Sequence, residues 1–188
     1  MNTTQILIEK NGIVISKEKD NDHFLNIMFD IENNNLDITK LLNIDFFKLI
    51  YDLNYDIFES LKVEKKNENE ANFFILCKDL FVDIGFPQFY YYFNIKKETE
   101  ENDRIKFIFT TLDNPPPALL TGLKSNILLV PLQKCDIVFY IKSISSVKIN
   151  LEIFYNPPDF FSTYFEKMVN TILFKVFNRV KQFIYNIK

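Results

Sequence analysis

The last thirty residues constrain this chain most. Between Asn156-Pro157-Pro158-Asp159, which sets up a helix start, and Lys188 there is neither Pro nor Gly. Phe161, Phe165, Met168, Ile172, Val176, Val180, Phe183 and Ile187 recur there every three or four residues, and Val169, Leu173, Phe177 and Ile184 widen the stripe. That spacing predicts one long amphipathic helix over 157–188. A helix of about 28 residues spans about 40 Å at 1.5 Å per residue. Lys167, Asn170, Thr171, Asn178, Lys181 and Gln182 fall on its polar side. An apolar stripe broader than the roughly 100° of a surface helix needs a large partner, a sheet or a sheet plus something else.

The preceding sequence supplies strands. Residues 5–8 and 13–15 flank Lys10-Asn11-Gly12, and Asn-Gly is a hairpin turn signal. Residues 23–31 partly alternate, and Asn33-Asn34-Asn35 is a polar turn. Residues 37–54 change period to three and four without Pro or Gly, which predicts two short helices broken at Asn43-Ile44-Asp45 by an Asx N-cap. Extended segments are then expected at 57–65, 71–83, 89–95, 104–111, 126–132, 135–141 and 146–155. Charged loops fall at 64–70 and 97–103, and a bend is expected at Gly85-Phe86-Pro87. Asp113-Asn114-Pro115-Pro116-Pro117 reads as a rigid, non-helical connection. Strands and helices are segregated along the chain, so the class is α+β.

Composition removes several functions. With 188 residues the chain fits one domain. A formal charge of −3 leaves no electrostatic footprint for nucleic acid. No apolar run reaches the roughly 20 residues of a membrane span. Three Gly spread along the chain make no phosphate-binding loop. Cys77 and Cys135 fit no disulfide framework or zinc spacing; they are core residues or a single bridge. His23, the only histidine, accompanies no nucleophile motif. The first residues carry neither a secretory signal nor a clear mitochondrial presequence. The 21 Phe and 9 Tyr stand out, although A/T-rich codon usage contributes to such a bias.

Four segments carry a family resemblance: Phe47-Lys48-Leu49-Ile50-Tyr51-Asp52-Leu53-Asn54-Tyr55; Glu59-Ser60-Leu61-Lys62-Val63; Val82-Asp83-Ile84-Gly85-Phe86-Pro87; and Leu119-Leu120-Thr121-Gly122-Leu123 followed by Ile127-Leu128-Leu129-Val130-Pro131. In order and spacing they resemble the coenzyme-Q-binding proteins of the START-like (polyketide cyclase, helix-grip) superfamily, over roughly residues 46–186. The chain departs from that family in having Asp56-Ile57-Phe58 where Pro, an aromatic residue and Cys usually precede the matched Ser60, and in lacking Trp.

The resemblance implies a single START-like domain over 1–188, with 1–35 as an N-terminal extension or hairpin. A curved antiparallel sheet would wrap the long C-terminal helix. It also implies a non-enzymatic protein without a cofactor, binding and delivering a hydrophobic lipid or quinone. The ligand would be ubiquinone, in support of respiratory electron transport. Its place would be the matrix side of the mitochondrial inner membrane, with that surface or the respiratory complexes as partners. The expected lining of the cavity is Phe73, Ile75, Phe86, Phe89, Tyr91, Phe93, Phe107, Phe109, Leu128 and Val130 from the strands, with Phe165, Val169, Leu173 and Phe177 from the helix.

Phe89-Tyr90-Tyr91-Tyr92-Phe93 reads either as a quinone-ring or membrane-interface contact or as a strand apolar on both faces. Lys142, Lys148, Lys175, Arg179 and Lys181 read as attractors of anionic lipid heads or as scattered solvated charges. The competing function is a structural accessory subunit of a large assembly, with the cavity filled by the chain's own phenylalanines.

Overall fold

The structure, a computed structural model, describes residues 4–18, 21–80, 87–100, 103–123, 127–130, 132–155 and 163–188. Side chains are described for all of these except 21–23, 99, 100, 155 and 163–165. The expected bend at Gly85-Phe86, the helix start at 156–159 and the side chains of His23, Phe86 and Phe165 lie outside the described residues.

Ten strands form one sheet: β1 (Thr4–Lys10), β2 (Ile13–Glu18), β3 (Asn21–Glu32), β4 (Phe58–Asn67), β5 (Glu70–Cys77), β6 (Gln88–Glu100), β7 (Arg104–Thr111), β8 (Ile127–Leu129), β9 (Leu132–Ser143) and β10 (Ser146–Tyr155). Their spatial order is β1-β2-β3-β10-β9-β7-β6-β5-β4, antiparallel throughout that path. Among the described residues the α-helices are α1 (Asp45–Asp52), α2 (Pro117–Leu120) and α3 (Thr163–Asn186). This is the α+β helix-grip arrangement.

The hairpin signal at Asn11-Gly12 is realised literally. Both residues have positive φ, 54° and 68°, as a type I′ turn requires. The hairpin β1-β2 continues into β3, so the N-terminal residues belong to the sheet. Of the two short helices expected over 37–54, the first is a 3-10 turn at Ile38–Leu41 and the second is α1. Asn43 Oδ1 accepts from the Asp45 N–H at 2.8 Å, so the Asx cap acts from one residue ahead of Ile44, which has no capping side chain.

Four expectations need correcting. The strand expected over 71–83 ends at Cys77, where pairing with β4 is exhausted, and 81–83 lie outside the described residues. The acidic loop expected at 97–103 is mostly strand, because β6 and β7 pair out to Glu100 and Arg104. The Pro run is not wholly irregular: Pro117 begins the one-turn α2, since a helix's first residue needs no N–H donor. The strand expected over 126–132 is the three-residue β8, and it runs parallel to β6 (Gln88↔Ile127, Phe89↔Leu128, Tyr90↔Leu129).

The place of β8 has a cause. β7 leaves β6 at the pair Phe93↔Thr111, and the exposed edge of Gln88–Tyr90 is taken by β8 instead. Thr111 Oγ1 bridges the end of β7 to β9, donating to the Leu132 carbonyl (2.9 Å) and accepting from its N–H (3.0 Å).

Alternation places two apolar faces on the sheet. The inner face carries registered rows such as Ile13, Phe29, Ile149 and Phe139, all buried. On the outer face Phe74, Leu76, Tyr90 and Tyr92 are buried beneath Leu112, Leu119, Leu120, Leu123, Ile127 and Leu129. The aromatic run of β6 is thus apolar on both faces because both faces are covered: Tyr90 and Tyr92 by the segment around α2, Phe89, Tyr91 and Phe93 from within.

Candidate functional site: an apolar cavity under α3

α3 does not rest evenly on the sheet. Its packing contacts run to β1, β2, β3 and α1. Besides an Asn11 Nδ2 to Asn178 Oδ1 hydrogen bond at 3.0 Å, three polar ties fix it there. Lys17 Nζ pairs with Glu166 at 3.0 Å. Asn33 Nδ2 donates to the carbonyls of Ile184 (2.6 Å) and Ile187 (2.8 Å), satisfying acceptors that a helix C-terminus otherwise leaves open. Arg179 forms a bidentate pair with Asp56, which also takes Lys175 Nζ at 2.7 Å. Arg179 and Lys175 hold the Asp56 carboxyl well below the usual range. Lys175 and Arg179, with Lys142 on Asp30 at 2.7 Å, are therefore paired charges.

α1 acts as a wedge. Phe46 and Phe47 enter one end of the space between α3 and the sheet in edge-to-face contacts: Phe47 with Phe107 (5.0 Å between centroids) and Phe109 (5.2 Å), and Phe46 with Phe139 (5.5 Å). Beyond this plug the helix and sheet part, and a cavity of about 300 Å³ remains.

Of the expected lining residues, Phe73, Ile75, Phe89, Tyr91, Phe93, Phe109, Val130, Val169, Leu173 and Phe177 surround this cavity. Phe107 does not. It lies on the same face of β7 as Phe109 but is fully buried under Phe47, inside the plug. Leu128 does not either; it is half-buried on the short β8, past the end of β7. Phe86 and Phe165 lie outside the described side chains.

The sequence expectation missed the contributions of Phe47, Ile50 and Tyr51 from α1, of Cys77 and Cys135, and of Leu25, Leu151 and Ile153 from the far side of the sheet. For α1 a signal existed, since Phe47, Ile50 and Tyr51 stand at i, i+3 and i+4. For Leu25 and Leu151 none did, because only the strand order brings them there. On α3 the polar side was also misassigned at one position: Asn170 is buried, while Phe183 is 41% exposed. The covered sector of the helix is set by β1–β3 on one side and the cavity on the other, which a helical projection alone does not locate.

The wall is almost wholly hydrocarbon. Among the described residues its deep polar groups are the Tyr91 hydroxyl and the thiols of Cys77 and Cys135, and both thiols lie close enough to the hydroxyl to act on it electrostatically. Burial pushes the Cys77 thiol up to about 12 and raises Cys135 and Tyr91 further, so all three are neutral at physiological pH. Both cysteines are free. Lys78 and Leu80, both exposed, form the solvent end of the wall. Among the described residues no three His, Cys, Asp or Glu side chains converge as metal ligands, and no helix is long and apolar enough to cross a membrane.

Comparison with known proteins places this geometry. No family model matches the sequence, and no curated protein matches it. Solved structures match over nearly the whole chain. The lipid transfer and protein localization domain of human StarD13 (DLC2) is similar over 100% of this chain and 91% of its own, with a TM-score of 0.74 and 7% identity. Human STARD10 matches over 96% and 72%, with a TM-score of 0.68 and 6% identity. A STAR-related lipid transfer protein from Xanthomonas axonopodis matches over 96% and 98%, with a TM-score of 0.67 and 10% identity. The fold is the helix-grip fold that these structures share.

Proposed function

We propose that the protein binds and carries a small hydrophobic ligand in the cavity under α3, without chemical conversion. The observation that carries this reading is the cavity itself: about 300 Å³ of apolar space held open between a wedge of phenylalanines and a tethered helix. An accessory subunit would gain nothing from that space, since filling it would stabilise the fold. The lipid-transfer descriptions of the structural neighbours support the same reading.

Size sets the ligand. An apolar cavity of about 150 Å³ takes benzene; about 300 Å³ therefore takes on the order of a dozen non-hydrogen atoms, one short chain or a ring with a short substituent. At about 0.5 kcal/mol per atom such a ligand binds with a Kd of tens of micromolar. The substituted ring of ubiquinone, the ligand implied by the family resemblance, has about 13 non-hydrogen atoms and would fill this space alone; its isoprenoid tail would have to leave past Leu80. Ubiquinone as that quinone, and delivery at the matrix side of the mitochondrial inner membrane, rest on the resemblance alone.

Native mass spectrometry with organic extraction of the full chain, purified mildly from its own cells, tests the reading. A single apolar small molecule near one-to-one supports it. Protein found only without ligand, with extracts no different from a control protein's, rejects it.

A further inference from the structure

The cavity is not uniformly apolar, and the Tyr91 hydroxyl in its wall makes no hydrogen bond among the described residues. Tyr91 stands on the inner face of β6 opposite Ile75, where β7 has already ended and the gap toward Cys135 of β9 is open. Its ring lines the cavity, and among the described residues no group shares a hydrogen bond with its hydroxyl. Tyr91 is half-buried, and a phenol set in an apolar wall ordinarily finds a hydrogen-bond partner. The neighbouring Cys77 and Cys135 are weak donors and weaker acceptors, so they do not serve in its place. Tyr90 and Tyr92, one residue away on either side, turn to the covered outer face. Phenylalanine would fit the apolar wall equally well at this position.

Resting on the reading of the cavity as a ligand site, we infer that the ligand is an uncharged single-chain or small-ring molecule carrying one oxygen acceptor, a carbonyl or hydroxyl, that receives the Tyr91 hydroxyl's proton in a hydrogen bond. Among the described residues the deep wall holds no cation for a carboxylate or phosphate and no carboxylate for an amine. Lys78 is the one charged side chain in the wall among the described residues, and it is exposed. A charged head would have to stay at that end and leave Tyr91 unsatisfied.

The test compares 2-decanone, n-decane and decanoate by calorimetric titration and thermal shift, on the wild-type chain and on Tyr91→Phe. The wild type is expected to bind 2-decanone about tenfold more tightly than n-decane. Tyr91→Phe should remove that preference while leaving n-decane affinity within about twofold, which also shows that the variant is folded and the cavity intact. Equal affinities for ketone and hydrocarbon in the wild type would overturn the inference and leave the ligand-site reading standing. So would a ketone preference that survives in Tyr91→Phe, or decanoate binding best with no dependence on Tyr91. If none of the three probes binds, the ligand-site reading fails and the inference fails with it.

Discussion

Filling the cavity should make the protein more stable and less able to bind. Val169 lines the cavity from α3, half-buried and opposite the sheet. Val169→Phe adds about four carbons. At about 0.8 kcal/mol per buried methylene equivalent the gross gain is about 3 kcal/mol. Fitting a planar ring costs about 1–2 kcal/mol in rotamer adjustment. The net is a stabilisation of about 1–2 kcal/mol, which for a chain of this length raises Tm by about 3–8 °C. The ring also occupies space that a ligand of a dozen atoms needs, so affinity for 2-decanone should fall at least tenfold. Urea and thermal unfolding with and without ligand read both effects: the variant melts higher without ligand, and ligand no longer raises its Tm. A loss of about 1–3 kcal/mol, the usual cost of overpacking, would refute the reasoning, because the space would then be occupied by the protein's own side chains.

Other substitutions separate fold from site. Phe107→Ala, in the plug and away from the cavity wall, should cost about 3–5 kcal/mol in urea unfolding. Asp56→Asn should cost about 1 kcal/mol at pH 7, for both partners are partly exposed. Because the folded Asp56 carboxyl titrates below the unfolded one, its contribution is complete above the unfolded value of about 3.9 and fades as pH falls below it. The gap between wild type and variant should therefore narrow from pH 5 to pH 3; a gap that widens on acidification contradicts the ion-pair account. Gly12→Ala places a side chain at φ +68° and its Cβ 2.8 Å from Lys181 Nζ. It should cost about 1 kcal/mol, nearly all from the backbone because the lysine end can move. Cys77 and Cys135 should resist alkylation in the native chain at pH 8 and react rapidly in urea; fast native labelling would mean that the cavity wall opens readily.

What the sequence made legible was whatever local stereochemistry decides. Asn11-Gly12 could turn only one way, and the period of 89–93 forced Phe89, Tyr91 and Phe93 onto one face. The three- and four-residue spacing of 163–186 made a helix whatever it packed on. What stayed hidden depends on partners. β8 finds a free edge because β7 stops early, and nothing within Ile127–Leu129 states its direction. Phe107 and Phe109 carry the same strand signal, yet one is plug and one is wall, because Phe47 arrives from 60 residues away in the chain to divide them. Asn170 is buried on the side a helical projection makes polar, because the sector α3 presents to β1–β3 follows from its three ties. The family resemblance and the structure agree on the fold. The cavity's modest volume is too small for a long-tailed quinone held whole.

The most direct test is a crystal structure of the full chain grown with 2-decanone. The account predicts density for one chain between α3 and β5–β6, bounded by Val169 and Leu173 on one side and Phe73 and Phe93 on the other, with the ketone oxygen about 2.7 Å from the Tyr91 hydroxyl. A space closed by the protein's own phenylalanines, with no ligand density under α3, would contradict it.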